Sequence, residues 1–536
     1  MSRPQNTKGT FSPAPVRGVD TRASAYSEGS DLAVLLRDMI PKNLGVEVRP
    51  GYKDWATNVG LTDEGSAQEV RTVAPFHDSD STTSKFWAFT KGGIYDITSS
   101  ADDPAQTQAL PIGTSEGGYF SWINFTNTAG THYLACVDGL NGYWRYSVAS
   151  GWIEITAGAG ANQINGADPR TFSYVTTWKN RIWFVQKDTT FGWYLTGNGI
   201  DGTVAKFNFG SKFRYGGKLV GLYNFTMDGG LGMDDFLVAV SSAGDIAIYK
   251  GTDPASSTTF SLVGSWYLGP TPKGNRIASE FGGDLFILTE YGITPLSRIL
   301  QGAATVEGKT KITEPIINEM NVDIIRSRGD RSWELKIDTN HNILVVVAPE
   351  NASADTDFKQ YCMDLTGQVW CTFTTVPMLT ADMYNGDFYF GTSDGRVCIM
   401  DGTLDAVERD GTGGSPVDWA LITHSSDYGL PGQFKRVQMM RPVFIGSERP
   451  SYELVPRYDA DFSEPSTPSN PANETSSLWD VAVWDVDAWV GTPVSYSPAV
   501  GALGIGINVA YGLHGRSRVA TTFIGVNIMF DAGGYL

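Results

Sequence analysis

Residues 236–251, FLVAVSSAGDIAIYKG, are two short apolar runs joined by Ser-Ser-Ala-Gly-Asp. Val, Ile, Phe and Tyr fill the runs, no helical period competes, and the turn puts Gly and Asp where a positive φ is easiest. The stretch reads as a β-hairpin, and the pattern recurs. Upstream lie FWAFTKGGIYDIT from Phe86, YLACVDGLNGYWRY from Tyr133 and RIWFVQKDTTFGWYL from Arg181. Downstream lie DLFILTEYGITPLS from Asp284, ILVVVAPE from Ile343 and DFYFGTSDGRVCIMDG from Asp387; the return strand for Ile343 is delayed to YCMDLTGQVWCTF. The shortest step, 343 to 387, is 44 residues and the longest, 284 to 343, is 59. A unit of roughly 40 to 50 residues built on an antiparallel hairpin is the sequence form of a propeller blade. The expected fold is therefore all-β, with a β-propeller of about six or seven blades over residues 70–402. Trp-Asp and Gly-His signatures do not occur at blade spacing, and Asp-box motifs of the sialidase type are missing.

The chain has 536 residues, 41% apolar and 12% aromatic, with 61 Gly and 26 Pro, which gives length for a propeller and a further domain. Forty basic against 58 acidic residues leave a formal charge of -18. That balance disfavours a surface built to clamp phosphates and counts against sequence-specific nucleic-acid binding. It is compatible with an acidic lumen through which DNA slides without sticking. The four cysteines, Cys136, Cys362, Cys371 and Cys398, form no CxxC pair and read as reduced core residues, with Cys362 and Cys371 flanking one hairpin. No apolar signal region opens the chain and no apolar run reaches the roughly 18 residues of a membrane span.

Residues 1–30 are rich in Ser, Pro, Gly and Thr and are expected to order only against a partner. In DLAVLLRDMI, residues 31–40, Leu32, Leu35, Leu36 and Met39 share one helical face, which predicts a short amphipathic helix ended by Pro41. NLGVEVRPGYKDWA follows as a strand interrupted by an Arg49-Pro50-Gly51 turn. A second helix is predicted in TEPIINEMNVDIIRSR, where Ile316, Ile317, Met320, Ile324 and Ile325 share a face. Beyond the Gly-rich GTGGSPVDWA lies a C-terminal β-sandwich-like domain, which carries SLWDVAVWDVDAWV with Trp479, Trp484 and Trp489 five apart. From Glu453 to Asp487 eight carboxylates face Arg457 alone, the most acidic part of the chain. The expected division is an N-terminal arm, helix and strand over 1–69, the propeller over 70–402 and the C-terminal β domain over 403–536.

Asn43, Leu44, Gly45, Arg49, Pro50, Gly51 and Tyr52, leading into a propeller of this length, resemble the N-terminal segment of the tail nozzle proteins of short-tailed, podovirus-type bacteriophages, the tail tubular protein B-like family. The Trp-Asp repeats around Trp479, Trp484 and Trp489 and the Gly-Gly-aromatic ending look like that family's second β domain. The resemblance implies a structural virion protein with no enzymatic activity and no cofactor, assembled in the bacterial host cytoplasm and located in the virion tail. It implies a homo-oligomer, a hexameric ring below the head-to-tail adaptor protein. Double-stranded DNA is retained in the ring and ejected through it without sequence-specific binding, and tail fibres or other tail proteins are further partners. Lumen residues do not follow from it.

The alternative is a carbohydrate-binding or glycan-cleaving propeller, with Trp152, Trp178, Trp193 and Trp266 as stacking platforms and paired carboxylates as acid and base. Catalytic motifs find no context. Residues 113–117 fit GxSxG but sit in a Pro/Gly loop, and residues 197–202 fit GxGxxG but run into a strand. Residues 302–310, GAATVEGKT, are one residue too long for a phosphate-binding loop, and His77, His132, His341, His424 and His514 show no metal-ligand spacing.

Overall fold

The computed structural model describes residues 7–22, 31–62, 64–114, 116–228, 233–301, 311–330, 333–459, 461–471 and 494–535. Its chain forms two compact units: Asp54–Phe358 with Pro377–Ile399, and Met1–Lys53 with Lys359–Val376 and Met400–Leu536. The boundaries differ from the division at 69/70 and 402/403. The first 53 residues and the C-terminal region share one unit, and the propeller is inserted between them in sequence.

The inserted unit is a β-propeller, and each of the seven hairpins supplies the second strand of a successive sheet. Blade one is Thr72–Phe76, Lys85–Phe89, Gly93–Asp96 and Gln106–Ala109; blade two is Ser121–Thr126, His132–Val137, Tyr143–Ser147 and Gly151–Ala157. Blade three, Phe172–Trp178 through Gly202–Asn208, joins the edge of blade two through the short parallel strand Gln163–Asn165. Blade four runs from Leu219–Asp228 to Phe260–Tyr267, and blade five comprises Ala278–Phe281, Asp284–Thr289 and Gly292–Pro295. Glu334–Asp338 and Ile343–Val347 form the sixth sheet within this unit. Thr380–Tyr384, Asp387–Gly391 and Val397–Ile399 form the seventh, completed by Lys53–Thr57 from the other end of the ring.

In the hairpin at residues 236–251, Phe236 pairs with Lys250 and Val240 with Ile246. Gly244 closes the turn at φ +99°, and a Cβ there would lie 2.3 Å from Gly269 backbone atoms, so the turn needs glycine for conformation and for space. Neither face of a blade is satisfied alone, and the core lies between blades. Phe76, Trp87 and Phe89 of blade one interleave with Phe120, Leu134, Cys136 and Trp144 of blade two and its approach. Tyr143, Ile155 and Val137 meet Phe172, Ile182 and Phe184 in the next gap, and Trp183 and Tyr194 meet Leu222, Leu237 and Tyr249 beyond it. The ring closes where Val73, Phe86 and Tyr95 of blade one pack with Tyr384, Tyr389 and Val397 of blade seven.

The other unit is built from two sheets. One runs Met39–Lys42, Gly45–Val48, Thr521–Tyr535, Gln433–Gly446 and Val494–Tyr496, with Thr7–Pro13 added on Thr521–Tyr535. In the second, Ala33–Arg37 lies between Val369–Phe373 and Gly413–Thr423, and Val509–Ser517 and Ser451–Tyr458 follow. Trp419 and Tyr511 of the second sheet meet Phe444 and Phe523 of the first at 6.1 Å between ring centres, the packing of a sandwich.

Three expectations are corrected. Residues 31–40 form no helix: Ala33–Arg37 and Met39–Lys42 are strands, kinked at Asp38, whose φ is +57°. Burial on both sides of the run outweighs its helical spacing, and Asp is among the few residues that tolerate the left-handed region. Residues 7–13 of the arm order against their own chain, Thr7 facing Asp531 and Pro13 facing Gly525. In the second helix, Ile317–Arg326, Met320 and Ile324 are buried whereas Ile325 is 49% exposed. Cys136, Cys362, Cys371 and Cys398 are all buried as thiols, with Cys362 opposite Cys371 on paired strands. Among the described residues no helix is long and apolar enough to cross a membrane.

Phe184 is fully buried, stacked on Phe172 at 4.4 Å and edge-on to Tyr143 at 5.0 Å. Phe184→Ala is expected to cost about 3–5 kcal/mol of propeller stability, read as a lower urea midpoint at unchanged slope. A loss under about 1 kcal/mol would show that the blade gaps close up around the void.

Candidate functional site

The motif positions of the N-terminal segment converge on Arg49. Its Nε donates to Asp38 Oδ1 at 2.6 Å, and its two terminal nitrogens donate to the two oxygens of Asp405 at 2.8 and 2.6 Å. Nη1 also reaches the Pro50 carbonyl at 2.8 Å, and Nη2 reaches the Thr375 hydroxyl. Thr374 and Thr375 donate hydroxyl hydrogens to Asp38 at 3.0 and 3.1 Å. The guanidinium is fully buried, and its planar fork satisfies two carboxylates at once, which a lysine does not do. Burial acts to lower the Arg49 pKa, but Asp405 and Asp38 outweigh it and hold the value above the ordinary one. Asp405 is pushed up, by burial first, with Arg49 opposing. One cation shared between two carboxylates leaves an excess negative charge there.

The neighbouring motif residues serve this hub. Asn43 and Leu44 make the tight turn between Met39–Lys42 and Gly45–Val48, where Lys42 pairs with Gly45. A Cβ on Gly45 would lie 2.4 Å from the Phe523 carbonyl oxygen, and one on Gly51 would lie 2.0 Å from that of Leu404. Gly51 and Tyr52 donate their amides to the carbonyls of Gly402 and Leu404 at 3.0 Å each. The segment thus fastens the strand entering the propeller to the chain that leaves it. Trp479, Trp484 and Trp489 lie outside the described residues, as do Ser115 and residues 302–310.

A second polar cluster lies in the same unit. His514 Nε2 is 2.9 Å from Asp418, and its Nδ1 is 3.1 Å from the Pro465 carbonyl and 3.2 Å from Glu464. Arg37 reaches Asp418 at 3.0 Å and Glu464 at 2.7 Å, and Arg516 reaches Asp418 at 2.9 Å. Partial burial works to lower the His514 pKa, but Asp418, the Pro465 carbonyl and Glu464 together raise it above 6.5. Asp418 is held below 3.8: burial pushes it up, and His514 and Arg516 overcome this.

The propeller unit carries cavities between its inner strands. One of about 470 Å³ opens where those strands begin, around Ser173 and Leu219, and Lys187, Lys218, Lys273, Arg276 and Arg328 line it with Glu116 and Asp188. Arg276 also lines a second of about 270 Å³, with Tyr174, Tyr223 and Glu280; Glu280 in turn lines a third of about 670 Å³ where the strands end, at Thr126, Trp178 and Thr226. These cations come from different blades, so no sequence motif announces them; only the loop Thr271-Pro-Lys-Gly-Asn-Arg276 groups several. Among the described residues no cluster of three or more His, Cys, Asp or Glu is placed to hold a metal ion.

Of the four tryptophans expected as sugar platforms, Trp178 is corrected, while Trp152, Trp193 and Trp266 are half-buried. Trp178 is 3% exposed against Trp183 and Phe260, and Trp152 packs on Trp87, Phe89 and Tyr146. Trp193 is half-buried against the gap between blades two and three, its indole N–H on Gln186. Blade packing draws Trp178 and Trp152 inward because each gap needs large apolar side chains.

No protein-family model and no curated protein matches the sequence. Among solved structures, the extracellular domain of BT4673 from B. thetaiotaomicron is similar at 10% identity and a TM-score of 0.41, over 79% of this chain and 56% of that one. The β-propeller domain of Cps50 (Swd1) from Myceliophteria thermophila is similar at 10% identity and a TM-score of 0.35, over 62% of this chain and 96% of that one. The chain spans little more than half of the BT4673 domain, and at these scores the likeness carries nothing about activity, ligand or partner.

Arg49→Met leaves Asp38 and Asp405 buried without their cation and is expected to destabilise the two-sheet unit by about 3–5 kcal/mol, with Arg49→Lys in between. Urea unfolding measures both, and equal midpoints for Arg49→Lys and wild type would remove the argument from bidentate geometry. The His514 contribution is complete below pH 6.5 and is lost as the pH rises through the raised folded value; that of Asp418 is present above 3.8 and lost as the pH falls through its lowered value. The difference in unfolding midpoint between wild type and His514→Gln should therefore shrink from pH 6 to pH 8.5. A difference independent of pH would show that His514 is held neutral.

Proposed function

We propose that this β-propeller protein is a structural component of a short-tailed bacteriophage tail, one subunit of the nozzle through which double-stranded DNA is retained and ejected. The observation that carries the reading is the role of Arg49-Pro50-Gly51-Tyr52. This segment resembles the nozzle family, and here it clasps residues 402–405, so that an inserted propeller is tethered at both its entry and its exit. A tether at both ends suits a protomer in a ring under load. The first sheet of the two-sheet unit also presents Met439 opposite Met529, 40% and 42% exposed, and Phe11 two rows away at 49%. Apolar side chains on one sheet face support contact with a neighbouring copy, and a closed ring needs heterologous contacts of that kind. The charge of -18 fits a bore that repels DNA from its wall. The head-to-tail adaptor and other tail proteins are the implied partners, six the implied copy number, and the virion tail the location. The glycan reading loses Trp178 to the core.

Mass photometry of the full chain, alone and with its adaptor, together with gold-labelled antibody on particles from infected cells, tests the proposal. Closed rings and label at the tail are expected, with rings lost on Met439→Lys combined with Met529→Lys. Label absent from particles while the protein is made during infection would overturn it.

A further inference from the structure

We propose that the 470 Å³ cavity at the start of the inner strands binds a compact oxyanion of two or more negative charges, of phosphate or polycarboxylate chemistry. Five cations line it against two carboxylates, on a chain whose formal charge is -18. Some of the cations are held by carboxylates: Lys218 by Asp188 at 2.7 Å and Arg276 by Glu334 at 2.5 Å. Two pairs are long: Lys273 to Glu116 at 3.6 Å and Arg328 to Glu290 at 3.5 Å, with the Lys273 and Arg328 side chains 40% and 57% exposed. Such side chains turn to a ligand at little cost. Lys187, half-buried in the wall, has no ion pair among the described residues. The hydroxyl of Thr271 is buried on the same wall without a hydrogen-bond partner. An unpaired ammonium and an unused hydroxyl facing one cavity are groups whose desolvation is compensated when an anion accepts from both.

Size and surroundings limit the ligand. The volume falls within the range of small-molecule sites, about 300–1,000 Å³. An adjoining recess shares Glu116, Tyr119 and Lys273 with the cavity and is lined further by Glu69, Asp330 and Glu350. That acidic flank repels a long polyanion such as nucleic acid, whereas a compact anion stays beside Lys187, Lys218 and Lys273. The site belongs to the propeller alone and holds whether or not the chain assembles into a tail.

Isothermal titration of the purified full chain in low-chloride buffer with inorganic pyrophosphate, with citrate and with neutral glucose tests the proposal. Saturable binding of one pyrophosphate or one citrate per chain is expected, and none of glucose; the tighter of the two anions distinguishes phosphate from carboxylate chemistry. Lys187→Gln should weaken binding about tenfold or more, the effect of one lost charged hydrogen bond. Thr271→Val, which keeps charge and volume, should weaken it several-fold, and Lys212→Gln, an exposed lysine outside the cavity, should leave it unchanged. Thermal melts establish that the variants are folded. Failure of both anions to saturate, or binding unchanged by Lys187→Gln and Thr271→Val, would overturn the assignment.

Discussion

A single guanidinium holds together parts of the chain that are far apart in sequence. Arg49 joins Asp38, Thr375 and Asp405 in a dry interior, and the strength of that junction comes from the lack of any alternative. Water cannot solvate the charges, and each donor of the fork is aimed at an acceptor already fixed by strand geometry. Asp38 accepts from Thr374 and Thr375 while its backbone sits at positive φ, so the kink between two strands is part of the site. The close approach of Gly51 to Leu404 follows from the same constraint, because the backbone must pass within contact distance for Arg49 to span both carboxylates.

The propeller is held by a different force. Its core is divided among gaps between blades, each filled by aromatic and branched side chains from both neighbours. Stability is accordingly local in sequence until the ring closes, where residues near 73–95 meet residues near 384–397. The buried tryptophans Trp178 and Trp183 belong to this arrangement.

Legibility in the sequence followed the range of the determining interaction. Each hairpin was readable because apolar runs and a Gly or Asp turn lie within about fifteen residues, and all seven supplied blade strands. Residues 31–40 misled because Leu32, Leu35, Leu36 and Met39 fit a helical face, while the partners that make them strands, Val369–Phe373 and Gly413–Thr423, lie hundreds of residues away. Arg49 was legible as part of a motif, but its role depends on Asp405, which no spacing rule connects to it. Lys187, Lys218 and Thr271 meet only through the ring, and nothing local marks them as neighbours.

The strand Lys53–Thr57 is synthesised before any blade, yet it completes the last one beside Val397–Ile399. At about 5–20 residues per second, the roughly 340 residues between them keep that strand without its neighbour in the last sheet for about 20–70 s on the ribosome, although Ala101–Asp102 can pair along Ala56 and Thr57 earlier. Six sheets emerge and stack during that interval while an open strand edge remains at each end of the growing array. The last sheet can therefore be completed only by reaching back to a five-residue strand made before every other part of the ring.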